Sequence, residues 1–171
     1  DLLPGTEELS FIEERLLTNV IQGSAFRLSM QLDQVAPAYD FVIIDCGPTI
    51  GLMAVSAILA APNIIVPIEL EVASVDGAVK LFKVLQNLRA SNESIRILGI
   101  LGTKYHESAK SPTEVLNALR QAFGTLMFER PIHRAQAVAD AVSHGKPIVV
   151  RDPSSRAATQ YDMLTDEVLA R

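Results

Sequence analysis

Four consecutive apolar residues in Tyr39-Asp40-Phe41-Val42-Ile43-Ile44-Asp45, three of them β-branched, constrain this chain more than any other feature. A strand with one wet face alternates apolar and polar residues, whereas an unbroken apolar run suits a strand covered on both faces. Ile64-Ile65-Val66 before Pro67 repeats the signature. So do Ile95 to Leu101 and, more faintly, Ile148-Val149-Val150. Strands covered on both sides imply a parallel sheet between layers of helices.

The segments between these runs read as helices. Thr6 to Val20 carries Leu9, Ile12, Leu16, Leu17 and Val20 at helical spacing, and Gly23 breaks it. Ala25 to Val35 reads as a second, weaker helix. Leu52 to Ala60 is apolar and small. Asp76 to Arg89 puts Ala78, Leu81, Phe82, Leu85 and Leu88 on one face. Ser111-Pro112-Thr113-Glu114 offers a capping box with proline at the first helical position, opening a helix to Phe123 that Gly124 stops. Ala135 to Ser143 is a short helix closed by Gly145. Asp152-Pro153 caps a last helix on which Ala157, Tyr161, Leu164 and Val168 line up. The array is βαβ, hence a doubly wound α/β fold with a mainly parallel sheet. The 171 residues suit one domain, and no repeat, linker or low-complexity tract divides them.

Several function classes drop out. No charge occurs from Cys46 through Ile68, but Gly47, Pro48, Gly51, Pro62, Asn63 and Pro67 cut that run into pieces too short to span a bilayer. One cysteine excludes a disulfide framework and a Cys-based zinc site, and suits a reducing compartment. His106, His133 and His144 are scattered without metal-ligand spacing. A net charge of −5 argues against nucleic-acid binding by overall charge, and aromatics at 5% without Trp argue against a base-stacking platform.

Asp45 is the main candidate for chemistry. A carboxylate directly after a hydrophobic strand sits at the strand's C-terminal end, where open parallel sheets bind ligands. P-loop NTPases hold Mg²⁺ with such an Asp, often through water. The bland alternative is an Asp that caps the turn Gly47-Pro48-Thr49.

With its neighbours, this segment resembles the Walker B region of the ParA family, the deviant-Walker partition ATPases related to MinD. The family pattern is Tyr-Asp, a hydrophobic run, Asp, a small residue, then Pro-Pro-Ser. The likeness continues in order through Pro67-Ile68-Glu69-Leu70-Glu71 with Gly77, and Leu98-Gly99-Ile100-Leu101-Gly102-Thr103-Lys104-Tyr105. It closes with Ser143-His144-Gly145-Lys146-Pro147 and Asp152-Pro153-Ser154-Ser155. Leu3-Pro4 resembles the strand and turn before the Walker B helices, so the likeness covers essentially the whole chain. It departs from the pattern at Gly47, at His133 in place of the Pro of an Ile-Pro-Arg motif, and at Asp140-Ala141, where Glu-Ala is usual.

The resemblance implies ATP and Mg²⁺ as cofactors of the intact protein. Asp45 would be the catalytic and metal-site residue, with Mg²⁺ held through water. Thr103, Lys104, His133, Arg134 and Pro153 would stand around adenine. It also implies ATP-dependent homodimerisation, a ParB-like centromere-binding partner, and non-specific DNA binding, for which Lys80, Lys83 and Arg89 are the candidates. The expected place is the cytoplasm, on the nucleoid. The family's Lys-Gly-Gly-x-Gly-Lys-Thr loop, which cradles the phosphates, is absent from these residues. Asp1 in place of Met therefore reads as a chain that begins after its own phosphate loop and first strand, with no significant ATPase activity and no nucleotide bound by this chain alone.

Two alternatives remain. One is a naturally loop-less, non-catalytic interaction module. The other is a MinD-like positioning ATPase, although Asp162, Asp166 and Glu167 in the last segment disfavour anionic lipid. No membrane partner is expected.

Overall fold

A computed structural model of the chain describes residues 1–6, 24–47, 51–107 and 110–171. They form two compact units, Asp1–Asn63 with Asn92–Ile95, and Ile64–Ser91 with Arg96–Arg171. The helix expected from Thr6 to Val20 lies almost wholly outside the described residues.

In the first unit, helix α1 (Arg27–Leu32) follows a single 3₁₀ turn, Ser24–Phe26, and packs against α2 (Leu52–Ala60). Helix α2 is Leu-Met-Ala-Val-Ser-Ala-Ile-Leu-Ala, with no interior breaker. Its buried Ser56 is satisfied because its hydroxyl donates to the Leu52 carbonyl at 2.8 Å. Pro62, which cannot continue a helix, follows its end.

The strand expected over 39–45 is not formed. Residues 41–47 have no regular secondary structure, and Phe41 and Ile43 are 68% and 90% exposed. A strand exists only as a member of a hydrogen-bonded ladder, and no described residue supplies this run with a neighbour.

The second unit is built on β1 (Asn63–Glu69) and β2 (Arg96–Thr103), paired in parallel and joined by the crossover helix α3 (Val72–Ser91). β2 meets the expectation of burial on both faces, since Gly99, Ile100, Leu101 and Gly102 are all buried in succession. β1 does not. Val66 and Ile68 are buried while Ile65, Pro67 and Glu69 are exposed. Pro67, which donates no N–H, is tolerated because β1 has a neighbour on one side only among the described residues.

On the other side of β2 runs segment 127–134, which the sequence did not announce as a strand. It bridges in parallel at Ile100 with Met127 and at Tyr105 with His133. The Phe128 N–H donates to the Ile100 carbonyl at 2.9 Å and the Ile132 N–H to the Gly102 carbonyl at 2.9 Å.

Helix α4 (Lys110–Phe123) buries Val115, Leu116 and Leu119, and its Phe123 ring meets Phe82 of α3 at 5.0 Å. It begins at Lys110, so Ser111 lies inside the first turn rather than at the cap. Pro112 costs nothing there because the first N–H groups of a helix have no partner. Gly124 ends it at φ 53°, as expected.

After α5 (Gln136–Ser143), Gly145 turns the chain at φ 65°. The faint strand expected at Ile148-Val149-Val150 is instead a single turn of helix, α6 (Ile148–Arg151). Only Ile148 is buried, against Ala141, Ala157 and Ala158, while Val149 and Val150 are exposed. Three β-branched residues without a ladder neighbour therefore follow the extended Pro147 into a turn.

Helix α7 (Arg156–Leu169) is capped by Ser155, whose hydroxyl accepts the Ala158 N–H at 3.2 Å. The expected Asp152 cap is one turn too early. Asp152 instead holds the preceding turn, its carbonyl accepting the Ser155 N–H and hydroxyl. Ser155→Ala should destabilise the chain by about 1 kcal/mol, the usual cost of losing such a cap, read in chemical denaturation. Tyr161, Leu164 and Val168 pack on Leu101, Phe128 and Ile132, which seats α7 on the sheet.

Candidate functional site

The parallel strands deliver the candidate residues to their C-terminal ends, the rim at which such sheets bind ligands. Thr103 is the last residue of β2. Lys104 follows at φ 54°, a left-handed conformation uncommon for a residue with a side chain, and ion-pairs with Glu69 at the end of β1. Both side chains of that pair are about half exposed or more, so it contributes little to stability.

The Tyr105 N–H then donates to the Ile132 carbonyl at 3.0 Å, and the Arg134 N–H to the Tyr105 carbonyl at 2.9 Å. That reciprocal pair sets His133 beside Tyr105, ring edge to ring face at 5.0 Å. Thr103, Lys104, His133 and Arg134 are thus brought to one end of one sheet. Pro153 lies in the turn before α7, whose first turns reach His133 through Arg156 and Gln160.

Three residues of this rim carry no sequence signal of their own. Glu107 accepts from Arg156 and, at 2.8 Å, from the His133 Nε2. Gln160 accepts the His133 backbone N–H at 3.1 Å and also bonds its Nδ1. A Gln and an Arg among the polar residues of a helix read in sequence as solvated surface, and only spatial proximity to His133 marks them.

The Arg156 hydrogen bond first, and the His133 hydrogen bond second, hold the Glu107 carboxyl below its ordinary value of 4.5. A depressed carboxyl contributes stability that is full above the unfolded-state value and is lost as pH falls through the folded-state value. The stability difference between the wild type and Glu107→Gln should therefore be present at neutral pH and shrink as pH falls below about 4.5, read in denaturation curves across the acid range.

Asp45 lies in the first unit, exposed at the end of segment 41–45. Partial desolvation of the Cys46 thiol first, and the Asp45 charge second, push that thiol up from its ordinary value, although the residue as a whole is exposed. Among the described residues no group of three His, Cys, Asp or Glu could hold a metal together. A lone carboxylate suits Mg²⁺, which keeps most of its waters and takes one or two protein ligands plus phosphate oxygens, and does not suit a zinc cage.

Lys80, Lys83 and Asn87 are exposed on α3. At 100° per residue they fall within about 60° of arc, away from buried Ala78 and Leu85. Arg89 is also exposed but lies about half a turn round from Lys80, so it does not join their patch. Asp76, one helical turn before Lys80, places a carboxylate on the same face. Among the described residues no helix is long and apolar enough to cross a membrane.

Known proteins place the chain. The family model described as an AAA domain matches residues 1–97. Soj, the sporulation initiation inhibitor protein of Bacillus subtilis, is 30% identical over 171 residues, covering 99% of this chain and 67% of that protein. The chromosome partitioning protein ParA of Myxococcus xanthus is 29% identical over 171 residues, covering 99% of this chain and 60% of that protein. Among solved structures, apo McdA from Cyanothece superposes with a TM-score of 0.83 over 98% of this chain and 67% of that one, at 18% identity, which shows the fold. The chain thus spans roughly two thirds of the length of these proteins. The match through residue 97 and the relatives that run across the rest agree with the ordered motifs from Asp45 to Ser155: the chain belongs to the ParA family.

Proposed function

We propose that this chain supplies the metal-site carboxylate and the base-facing strand ends of a DNA-partitioning ATPase. The observation that carries the reading is the convergence of Thr103, Lys104, His133 and Arg134 at one C-terminal rim, in a chain whose relatives include a chromosome partitioning protein. Asp45 holds Mg²⁺ through water, and the rim residues with Pro153 surround adenine. The phosphates require a Gly-rich loop that these 171 residues do not contain. The chain by itself therefore turns over no ATP, because phosphoryl transfer depends on positioning and charge stabilisation that Asp45 cannot provide alone.

In the protein encoded by the complete reading frame, ATP drives dimerisation, and the dimer binds DNA without sequence preference. A centromere-binding, ParB-like partner triggers hydrolysis and release. The γ-phosphate holds switch segments in place until it is lost, and residues 47–51, of which 48–50 lie outside the described residues, are assigned to one of them. The Lys80 and Lys83 face supplies phosphate contacts.

The test is ATP-dependent retention of that protein on DNA of arbitrary sequence. Lys80→Glu with Lys83→Glu should weaken retention about tenfold or more at low salt and flatten its salt dependence, because phosphate contacts act through counterion release. Retention unchanged by the double reversal removes this face from the DNA contact. A frame that opens at an initiator Met directly before Asp1, with dimerisation that ignores nucleotide, would instead establish the loop-less interaction module.

A further inference from the structure

His133 stands at the end of segment 127–134, where the family pattern has proline, and its side chain is only 18% exposed. Both ring nitrogens are engaged. Nδ1 meets the Gln160 side-chain amide, and Nε2 lies 2.8 Å from a Glu107 carboxylate oxygen. The Arg156 guanidinium is 3.0 Å from Nε2, and the Tyr105 ring packs against the imidazole at 5.0 Å. Glu107, Arg156 and Tyr105 are thus the titratable groups facing the ring.

The orientation of the Gln160 amide follows from the backbone. The His133 N–H can only donate, so it requires the Gln160 oxygen, and it finds Oε1 at 3.1 Å. That leaves the Gln160 nitrogen facing Nδ1, and an amide nitrogen can only donate. Nδ1 must therefore accept, and the ring proton sits on Nε2, which donates to Glu107; the neighbouring Arg156 Nη2, which can only donate, is spent on the same Glu107 oxygen, so the two donors converge on one carboxylate rather than bonding each other. Turning the amide over does not relieve a proton on Nδ1, because the amide nitrogen would then face the backbone N–H. In either orientation one donor confronts another.

We propose that Gln160 is a positioning residue that holds His133 in its Nε2–H form, so that this strand end offers a ligand a hydrogen-bond donor. On the nucleotide-binding reading above, on which the ligand half of this inference rests, the acceptor is a ring nitrogen of a purine that takes the place of Glu107. A proline at this position has no side-chain donor, so the contact is particular to chains with His here.

The experiment is heteronuclear NMR of the 171-residue chain labelled with ¹⁵N in histidine, with the His133 signals assigned by their loss in His133→Asn. The wild type should show Nε2 protonated and Nδ1 bare. Gln160→Glu keeps the shape of the side chain but replaces the amide donor with a second acceptor, so Nδ1 should become protonated. Gln160→Leu removes both bonds and should give a mixture of forms. A wild-type ring protonated at Nδ1, or a Gln160→Glu ring whose Nδ1 stays bare, overturns the role of Gln160. In a protein that joins these residues to a phosphate-binding loop, magnesium and adenosine diphosphate at millimolar concentration should shift the Nε2–H signal in the wild type and shift it less in Gln160→Glu. If the ring behaves as expected in the free chain but this probe leaves Nε2–H unmoved, the base contact is overturned and the positioning role stands.

Discussion

Gly99→Ala should destabilise the chain by about 2 kcal/mol and lower its melting temperature by about 4–8 °C, a large effect for one added methyl group. A Cβ at Gly99 would lie 2.6 Å from Cε2 and 2.9 Å from Cδ2 of Phe128, and 2.8 Å from Nη1 of Arg171. Neither neighbour yields easily. Phe128 is 2% exposed and packs on Leu101 and Ile132. Arg171 is pinned. Its guanidinium donates to the carbonyls of Leu98 at 2.6 Å and Met127 at 2.9 Å, pairs with Glu167 at 2.7 Å, and sits 4.4 Å over the Phe128 ring. Breaking that arrangement leaves carbonyl groups at the strand starts without a donor and loses a cation–π contact.

The other glycines calibrate the effect. At Gly102 the nearest atoms are the Leu70 methyls at 3.2 Å, so Gly102→Ala should cost under about 1 kcal/mol. At Gly47 nothing lies within 4 Å, so Gly47→Ala should be near neutral in stability. Gly99→Ala and Arg171→Ala share one contact, so together they should cost less than their sum. Thermal denaturation of the four single variants and the double variant measures all of this. Equal losses at Gly99 and Gly47 would contradict the packing described. The consequence reaches the rim, because Phe128 ties segment 127–134 to β2, and that segment ends in His133.

What the residues reveal before folding depends on whether the signal is local. β2 and helices α2, α3, α4, α5 and α7 are legible because each carries its own periodicity or its own stop signal. Gly124 and Gly145, both at positive φ, are of that kind. Segment 127–134 was missed because Glu129-Arg130-Pro131 interrupts its apolar residues, so no run of strand length exists. Ile148-Val149-Val150 misleads for the opposite reason. β-branched residues favour a strand only where a neighbouring strand is at hand, and here one side chain finds a pocket and two face solvent.

The candidate site divides in the same way. His133 stood out because it departs from a family pattern, and Lys104 because it follows a buried strand. Gln160 and Glu107 carry no such mark. Their importance lies entirely in pairing across distances of 27 and 26 residues, which no local pattern encodes.

On the function proposed above, Asp45→Asn should lower ATP hydrolysis about 10²-fold in a protein that joins these residues to a phosphate-binding loop. The substitution keeps the shape of the side chain and removes its charge. A Mg²⁺ held through water by one carboxylate loses much of the electrostatic support it gives the transferring phosphoryl group, and one such preorganised contact is typically worth about 10²–10³ in kcat. On the reading proposed above, positioning by the loop and by the rim residues remains, so ATP affinity should fall far less than turnover. Cys46→Ser is the control and should leave kcat nearly unchanged, because its thiol is pushed up from its ordinary value and has no base partner among the described residues. The 171-residue chain provides a second readout that needs no catalysis. The Asp45 charge is one of two causes that raise the Cys46 thiol, after partial burial. Removing that charge should let the thiol ionise at lower pH and react faster with an alkylating agent under mildly alkaline conditions. Faster alkylation with kcat unchanged would show that Asp45 shapes its local field but serves no metal. A hundredfold loss together with faster alkylation is the outcome expected of a carboxylate that does both.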